Sequence, residues 1–180
     1  MATKATIFKV DLQIADMDRN YYQTHALTIA RHPSETDERM MVRVLAFARH
    51  AHAALTFSKG LNTDDEPDLW QKDLTGAIEL WIDLGQPEEK HIRRACGRAQ
   101  QVFIYTYSGH SAELWWQKQR DALQRLNNLT IIDVPAATVQ ALAGLAQRSM
   151  QLQCTLQDGQ MWVADDTRSV QVDVVTRAQE

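Results

Sequence analysis

Four acids have types and spacing that could do chemistry: Glu38, Asp68, Glu79 and Asp83. Glu79 and Asp83 lie in residues 77–84, where Ile78, Leu80, Ile82 and Leu84 alternate with Glu79, Trp81 and Asp83. A period of two marks a strand, and it puts both acids on one face with Trp81 between them. On an open sheet face such acids are usually the wet side. A large aromatic between them needs cover, so Asp83 is expected beside a cleft. Asp68 follows Pro67 at the start of a short strand, residues 68–71, and Glu38 stands near the start of a helix. Carboxylates brought together suit a hard cation, Mg2+ or Mn2+, which takes one or two carboxylates and completes its shell with water and phosphate. Such a cation polarises a phosphoryl group and makes its bound water a stronger nucleophile. For each acid there is a plainer role: Glu38 complements the helix dipole, and Asp68 merely starts a strand.

A second group is basic. Lys90, Arg94 and Arg98 recur at every fourth position, with His91 and Arg93 adjacent, opposite an apolar side of Ile92, Ala95, Cys96 and Ala99. A solvated basic face is the first reading of this pattern; a stripe gripping nucleic-acid phosphates is the second. Trp115 and Trp116 read as core or partner contacts before they read as base-stacking platforms. Glu35, Arg39 and Arg43 read as a solvated ladder of ion pairs. The six histidines include no HExxH and no Cys/His set at zinc spacing, and no GxSxG, Walker A or GxGxxG motif occurs.

These side chains are carried by a chain of ordinary globular composition, 44% hydrophobic and 23% charged, and its 180 residues suffice for one domain with a proper core. No apolar run approaches the length of a membrane span, and residues 1–8 have no signal-like apolar stretch. Cys96 and Cys154 form no CxxC pair and fit two buried thiols in a reducing compartment, so a cytoplasmic location is expected. A net charge of −4 argues against a protein that coats nucleic acid, though not against a nucleic-acid enzyme with local cations.

The elements follow from periodicity. Residues 6–14 and 22–29 read as a hairpin. A helix is expected from Ser34, as N-cap, to about residue 52, with Asp37 at the capping-box position. Strands are expected at 55–57, 68–71 and 77–84, and a helix at 87–99 opened by Pro87, Glu88 and Glu89. A strand at 102–107, a helix at 111–126, a strand at 129–134 and a helix at 136–149 come next. Strands at 152–156, 161–164 and 170–175 close the chain. The segment 34–107 is thus helix, three strands, helix, strand. Its strand 102–107 is expected parallel to 77–84. The expected result is one α/β (α+β) domain, residues 1–180, with a mixed β-sheet flanked by helices.

That αβββαβ order resembles the core of the PD-(D/E)XK nucleases, with Pro67-Asp68 at the second core strand and Glu79 and Asp83 on the third. The whole chain resembles the bacterial YaeQ family. The resemblance is carried by residues 4–9, by His32-Pro33-Ser34-Glu35-Thr36-Asp37-Glu38-Arg39-Met40-Met41, by Asp64-Asp65-Glu66-Pro67, by residues 80–87 and by Gln157-Asp158-Gly159. It implies a nuclease-like core at about 34–107 with an added N-terminal hairpin and C-terminal strands. It also implies a divalent-metal phosphodiesterase in which Asp68 and Asp83 hold Mg2+ or Mn2+ and Glu38 or Glu79 assists. The motif lysine is missing: Trp81 follows Glu79 by two, and Gly85 follows Asp83 by two. Gln86 could orient the water instead, or Lys59, Arg39 or Arg43 could supply the cation. Without such a replacement the chain is a degenerate scaffold that binds or regulates. Nucleic acid is the expected partner, with Lys90, Arg94 and Arg98 as its contacts.

Overall fold

The computed structural model describes residues 4–58 and 65–177. The chain divides into two compact units. The first comprises the chain up to Val44 together with Ala137–Asp173, and the second comprises Leu45–Ala136 and the chain from Val174.

In the first unit, strands β1 (Thr6–Asp16) and β2 (Tyr21–Arg31) form the expected hairpin, longer at both ends. It pairs without a break along eleven residues, from Thr6 opposite Arg31 to Asp16 opposite Tyr21. Strands β8 (Ser149–Gln157), β9 (Gln160–Ala164) and β10 (Ser169–Val172) complete a five-stranded sheet in the order β10-β9-β8-β1-β2. Phe8, Val10, Leu12 and Ile14 are buried while Ile7, Lys9, Asp11 and Gln13 are exposed, so one face is core and the other is wet.

The second unit holds a six-stranded sheet, β11-β7-β6-β5-β4-β3. Its strands are β3 (Leu55–Phe57), β4 (Leu69–Lys72), β5 (Ile78–Leu84), β6 (Ala99–Thr106), β7 (Leu129–Asp133) and β11 (Val175–Thr176). Strands β3, β4 and β5 form the expected antiparallel meander, and β6 joins β5 in parallel through helix α2 (Glu89–Arg98), as the sequence predicts. Helix α3 (His110–Leu123) leads to β7, again parallel. The core here joins Trp81, Ile92, Ala95, Val102, Ile104, Trp116, Leu123 and Ile131. Trp116 is therefore core, and Trp115 is half-buried with its indole donating to Pro87 O at 3.2 Å.

The second sheet is the expected mixed sheet, and the hairpin joins the C-terminal strands in a sheet of its own through the pairing of β8 with β1. Three element bounds differ from the sequence reading. Helix α1 (Asp37–Arg49) starts later than expected: Thr36 Oγ1, not Ser34, accepts the N–H of Arg39 and caps it, while Ser34 Oγ meets His32 Nδ1. Helix α4 (Ala136–Ala143) stops at Gly144, because the chain must reach Arg148, whose carbonyl accepts the N–H of Lys9 as β8 opens. The expected strand 170–175 is split, with β10 on β9 and β11 on β7. From Met40 to Ala48 every residue of α1 is buried. No helix among the described residues is long and apolar enough to cross a membrane.

Candidate functional site

Strand β5 brings Trp81 and Asp83 to the same face, two residues apart. Trp81 is 1% exposed: it shares the core with Ile92 and Ala95 of α2, meets Trp70 edge-on at 6.1 Å, and lies under the Arg98 guanidinium at 5.0 Å. Helix α2 thus supplies the cover that the sequence assigned to a cleft. An indole N–H so deeply buried needs an acceptor. Trp81 Nε1 donates to Asp83 Oδ2 at 2.7 Å.

The same oxygen meets His91 Nε2, in the first turn of α2, at 2.9 Å. A carboxylate offers only acceptors, so Nε2 carries the hydrogen in this pair. The Asp68 backbone N–H bonds Ile82 O at 3.0 Å and lies 3.3 Å from Asp83 Oδ1 as a second, longer contact. Two side-chain N–H groups therefore meet on one oxygen of a carboxylate that is 8% exposed. Asp68 Oδ2 in turn accepts the N–H of Leu84 at 2.8 Å. Asp68 and Asp83 do come together, but each binds protein N–H groups.

Of the other expected site residues, Glu79 is four residues before Asp83, about 13 Å along the strand at the usual rise, and accepts from Gln71 Nε2 at 3.3 Å. Glu38 lies in the first turn of α1, in the first unit. Gln86 is exposed and exchanges bonds with Ser111, its Nε2 donating to Ser111 O at 3.4 Å and its Oε1 accepting from Ser111 Oγ at 3.3 Å. Lys59 falls outside the described residues. Arg39 and Arg43 both bind Glu35, at 2.8 and 2.6 Å. The Glu35 side chain is 1% exposed, so this is a buried cluster and not the expected solvated ladder.

A divalent ion needs carboxylate lone pairs that face a common point. Asp83 Oδ2 already receives two donors, so an ion shared with Asp68 would take Oδ1 or displace one of them. Among the described residues no three His, Cys, Asp or Glu side chains are grouped to hold a metal ion. His91 is the residue the sequence reading missed as a partner of Asp83. Its one legible signal is a position in the first turn of α2, at the boundary between the basic and apolar sides.

On α2, Lys90 and Arg94 are exposed. Arg93 pairs with Glu89, and Arg98 is tied to Asp65 O at 3.0 Å as well as to Trp81. Burial raises the Cys96 thiol to about 11 and Cys154 to about 12, so neither is a ready nucleophile at neutral pH.

The fold is an α+β architecture whose sheets are flanked by helices, and its candidate site lies at the C-terminal end of β5. Its counterparts are known in outline. The family model described as YaeQ protein matches residues 1–174, and the chain belongs to that family. It is 41% identical over 174 residues to the uncharacterised protein YaeQ of Escherichia coli K12, covering 97% of this chain and 96% of that one. The crystal structure of the YaeQ protein from Xanthomonas axonopodis pv. citri superposes with a TM-score of 0.92 at 47% identity, covering 96% of this chain and 98% of that one. The Pseudomonas syringae YaeQ structure also gives 0.92, at 34% identity, over 98% and 97%.

Proposed function

We propose that this chain is a nuclease-like scaffold of the PD-(D/E)XK type that binds nucleic acid without cutting it. The observation that carries the reading is that Asp83 Oδ2 already accepts from Trp81 Nε1 and meets His91 Nε2. In this role Asp83 fastens the first turn of α2 to β5. The helix then presents Lys90 and Arg94, one turn apart, from a rigid element to a phosphate backbone. Arg98 holds the end of the helix against Trp81 and contributes less.

The second reading, a Mg2+- or Mn2+-dependent phosphodiesterase, is favoured by one observation: Asp68 and Asp83 meet at the end of the β4–β5 pair. It requires a cation to take Asp83 Oδ1, or to displace an N–H partner from Oδ2.

One experiment separates the two. Binding of single- and double-stranded DNA and RNA is followed by fluorescence anisotropy over a range of salt, with and without Mn2+, and products are run on gels. The scaffold reading expects binding with intact products, and a salt slope reduced by about two in the Lys90→Ala/Arg94→Ala variant. Absence of binding to all four substrates sinks it. Metal-dependent cleavage that disappears in a folded Asp68→Asn variant puts the second reading ahead.

A further inference from the structure

Sheet edges in this protein are unequal. Strand β3 has three residues, β10 four and β11 two, whereas the fourth edge, β2, has eleven. Short edges protect against strand addition; a long one invites it unless a charge, a proline or a bulge interrupts it. Between Tyr22 and Ala30 there is no Lys, Arg, Asp, Glu or Pro, and the register with β1 is unbroken.

The direction of each backbone group follows from the pairing. Lys9 N–H donates to Arg148 O, so Lys9, Asp11, Gln13 and Ala15 turn their backbone groups to β8. Phe8, Val10, Leu12 and Ile14 then turn theirs to β2, where Ile29, Leu27, His25 and Gln23 answer them. The backbone groups of Tyr22, Thr24, Ala26, Thr28 and Ala30 point away from the sheet. Among the described residues one of these groups is engaged, the Ala30 carbonyl, which accepts from Arg43 Nη2 at 3.3 Å. All five residues are exposed.

We propose that this edge pairs with the same edge of a second copy, β2 antiparallel to β2, around a two-fold axis at Ala26. That register sets Ala26 opposite Ala26, Thr24 opposite Thr28 and Tyr22 opposite Ala30; the Ala26 and Thr24/Thr28 pairs exchange their outward N–H and C=O groups, while the Ala30 carbonyl already accepts from Arg43. Thr–Thr is a favourable cross-strand pair, and no like charges oppose each other. On the other face it sets His25 of one copy beside the half-buried Leu27 of the other. The self-pairing register sets threonine against threonine on both sides of the axis and opposes no charge, and this favours a second copy over an unrelated extended peptide. The two five-stranded sheets become one of ten strands, an isologous dimer.

The test is sedimentation equilibrium of the full chain up to about 100 µM, where a Kd in the low micromolar range gives mostly dimer. Ala26→Lys sets two ammonium groups against each other on the axis. Thr24→Pro removes an outward N–H that β1 does not use, a change that edge strands tolerate. Wild type is expected to be dimeric. Each variant, with an unchanged circular dichroism spectrum, is expected to weaken dimerisation at least tenfold. A monomeric wild type overturns the proposal, as does a dimer equally strong in both folded variants, which places the contact elsewhere. A chain that stays monomeric but takes up an extended peptide overturns the self-pairing.

Discussion

Each unit of this protein buries a carboxylate, and the two are satisfied in different currencies. Glu35, in the first unit, is held by two guanidinium groups, Arg39 and Arg43, while its backbone carbonyl accepts from Arg31 Nε at 2.9 Å. Asp83, in the second, is held by an indole, an imidazole and a backbone amide. Arginine stays charged at any ordinary pH, so the Glu35 cluster is a fixed electrostatic lock. The Asp83 cluster relies on an indole and an imidazole instead, and it connects a strand to the helix that bears the exposed cations. The first fastens α1 to the end of β2, while the second ties β5 to the helix whose face is expected to bind.

The comparison is broken most severely by Glu35→Ala. The buried Arg43 and the half-buried Arg39 lose their shared carboxylate, and a loss of about 3–5 kcal/mol is expected in urea unfolding, the range for removing one partner of a buried pair. A loss under about 1 kcal/mol, the range of an exposed pair, would show that the cluster behaves as the solvated ladder first read from the sequence.

Asp83→Ala comes next. A carboxylate at an open metal site would cost the fold little, the expectation that follows from the nuclease reading. The buried Asp83 orphans Trp81 Nε1, and a loss of about 2–3 kcal/mol is expected. Asp83→Asn keeps an acceptor for the indole and should cost about 1 kcal/mol. Equal stability of wild type and Asp83→Ala would return Asp83 to the role of an open ligand.

The smallest effect concerns His25, an imidazole of the first unit. His25 Nε2 and Tyr21 Oη are 2.7 Å apart, and burial holds the His25 pKa below its ordinary value of 6.5. The unfolded chain therefore binds this proton more readily, so stability from this group is present above pH 6.5 and is lost as pH falls through the window below it. His25→Gln should flatten that part of the stability profile measured by denaturant titration at stepped pH. An unchanged profile would remove His25 from the account.

Much of the fold is legible in the chain. The period of two in 6–14 and 77–84 and the helical period of 87–99 placed β1, β5 and α2 within about two residues, because one-sided burial imposes those periods. The parallel pairing of β5 with β6 followed from a strand, helix, strand order. The candidate site was half legible. The chain itself determines that Asp83 and Trp81 share a face, that His91 opens a helix, and that the lysine of the nuclease motif is absent. Tertiary structure alone decided that α2 lies on that face, turning a wet row of acids into a buried hydrogen-bonded anchor. It also decided that Glu35 is buried with its arginines, since spacing along a helix fixes which side chains meet and not whether water reaches them. The division of the strands into two sheets was likewise beyond the sequence: whether β8 pairs with β1 depends on contacts about 140 residues apart, and local periodicity carries no information about a partner at that distance.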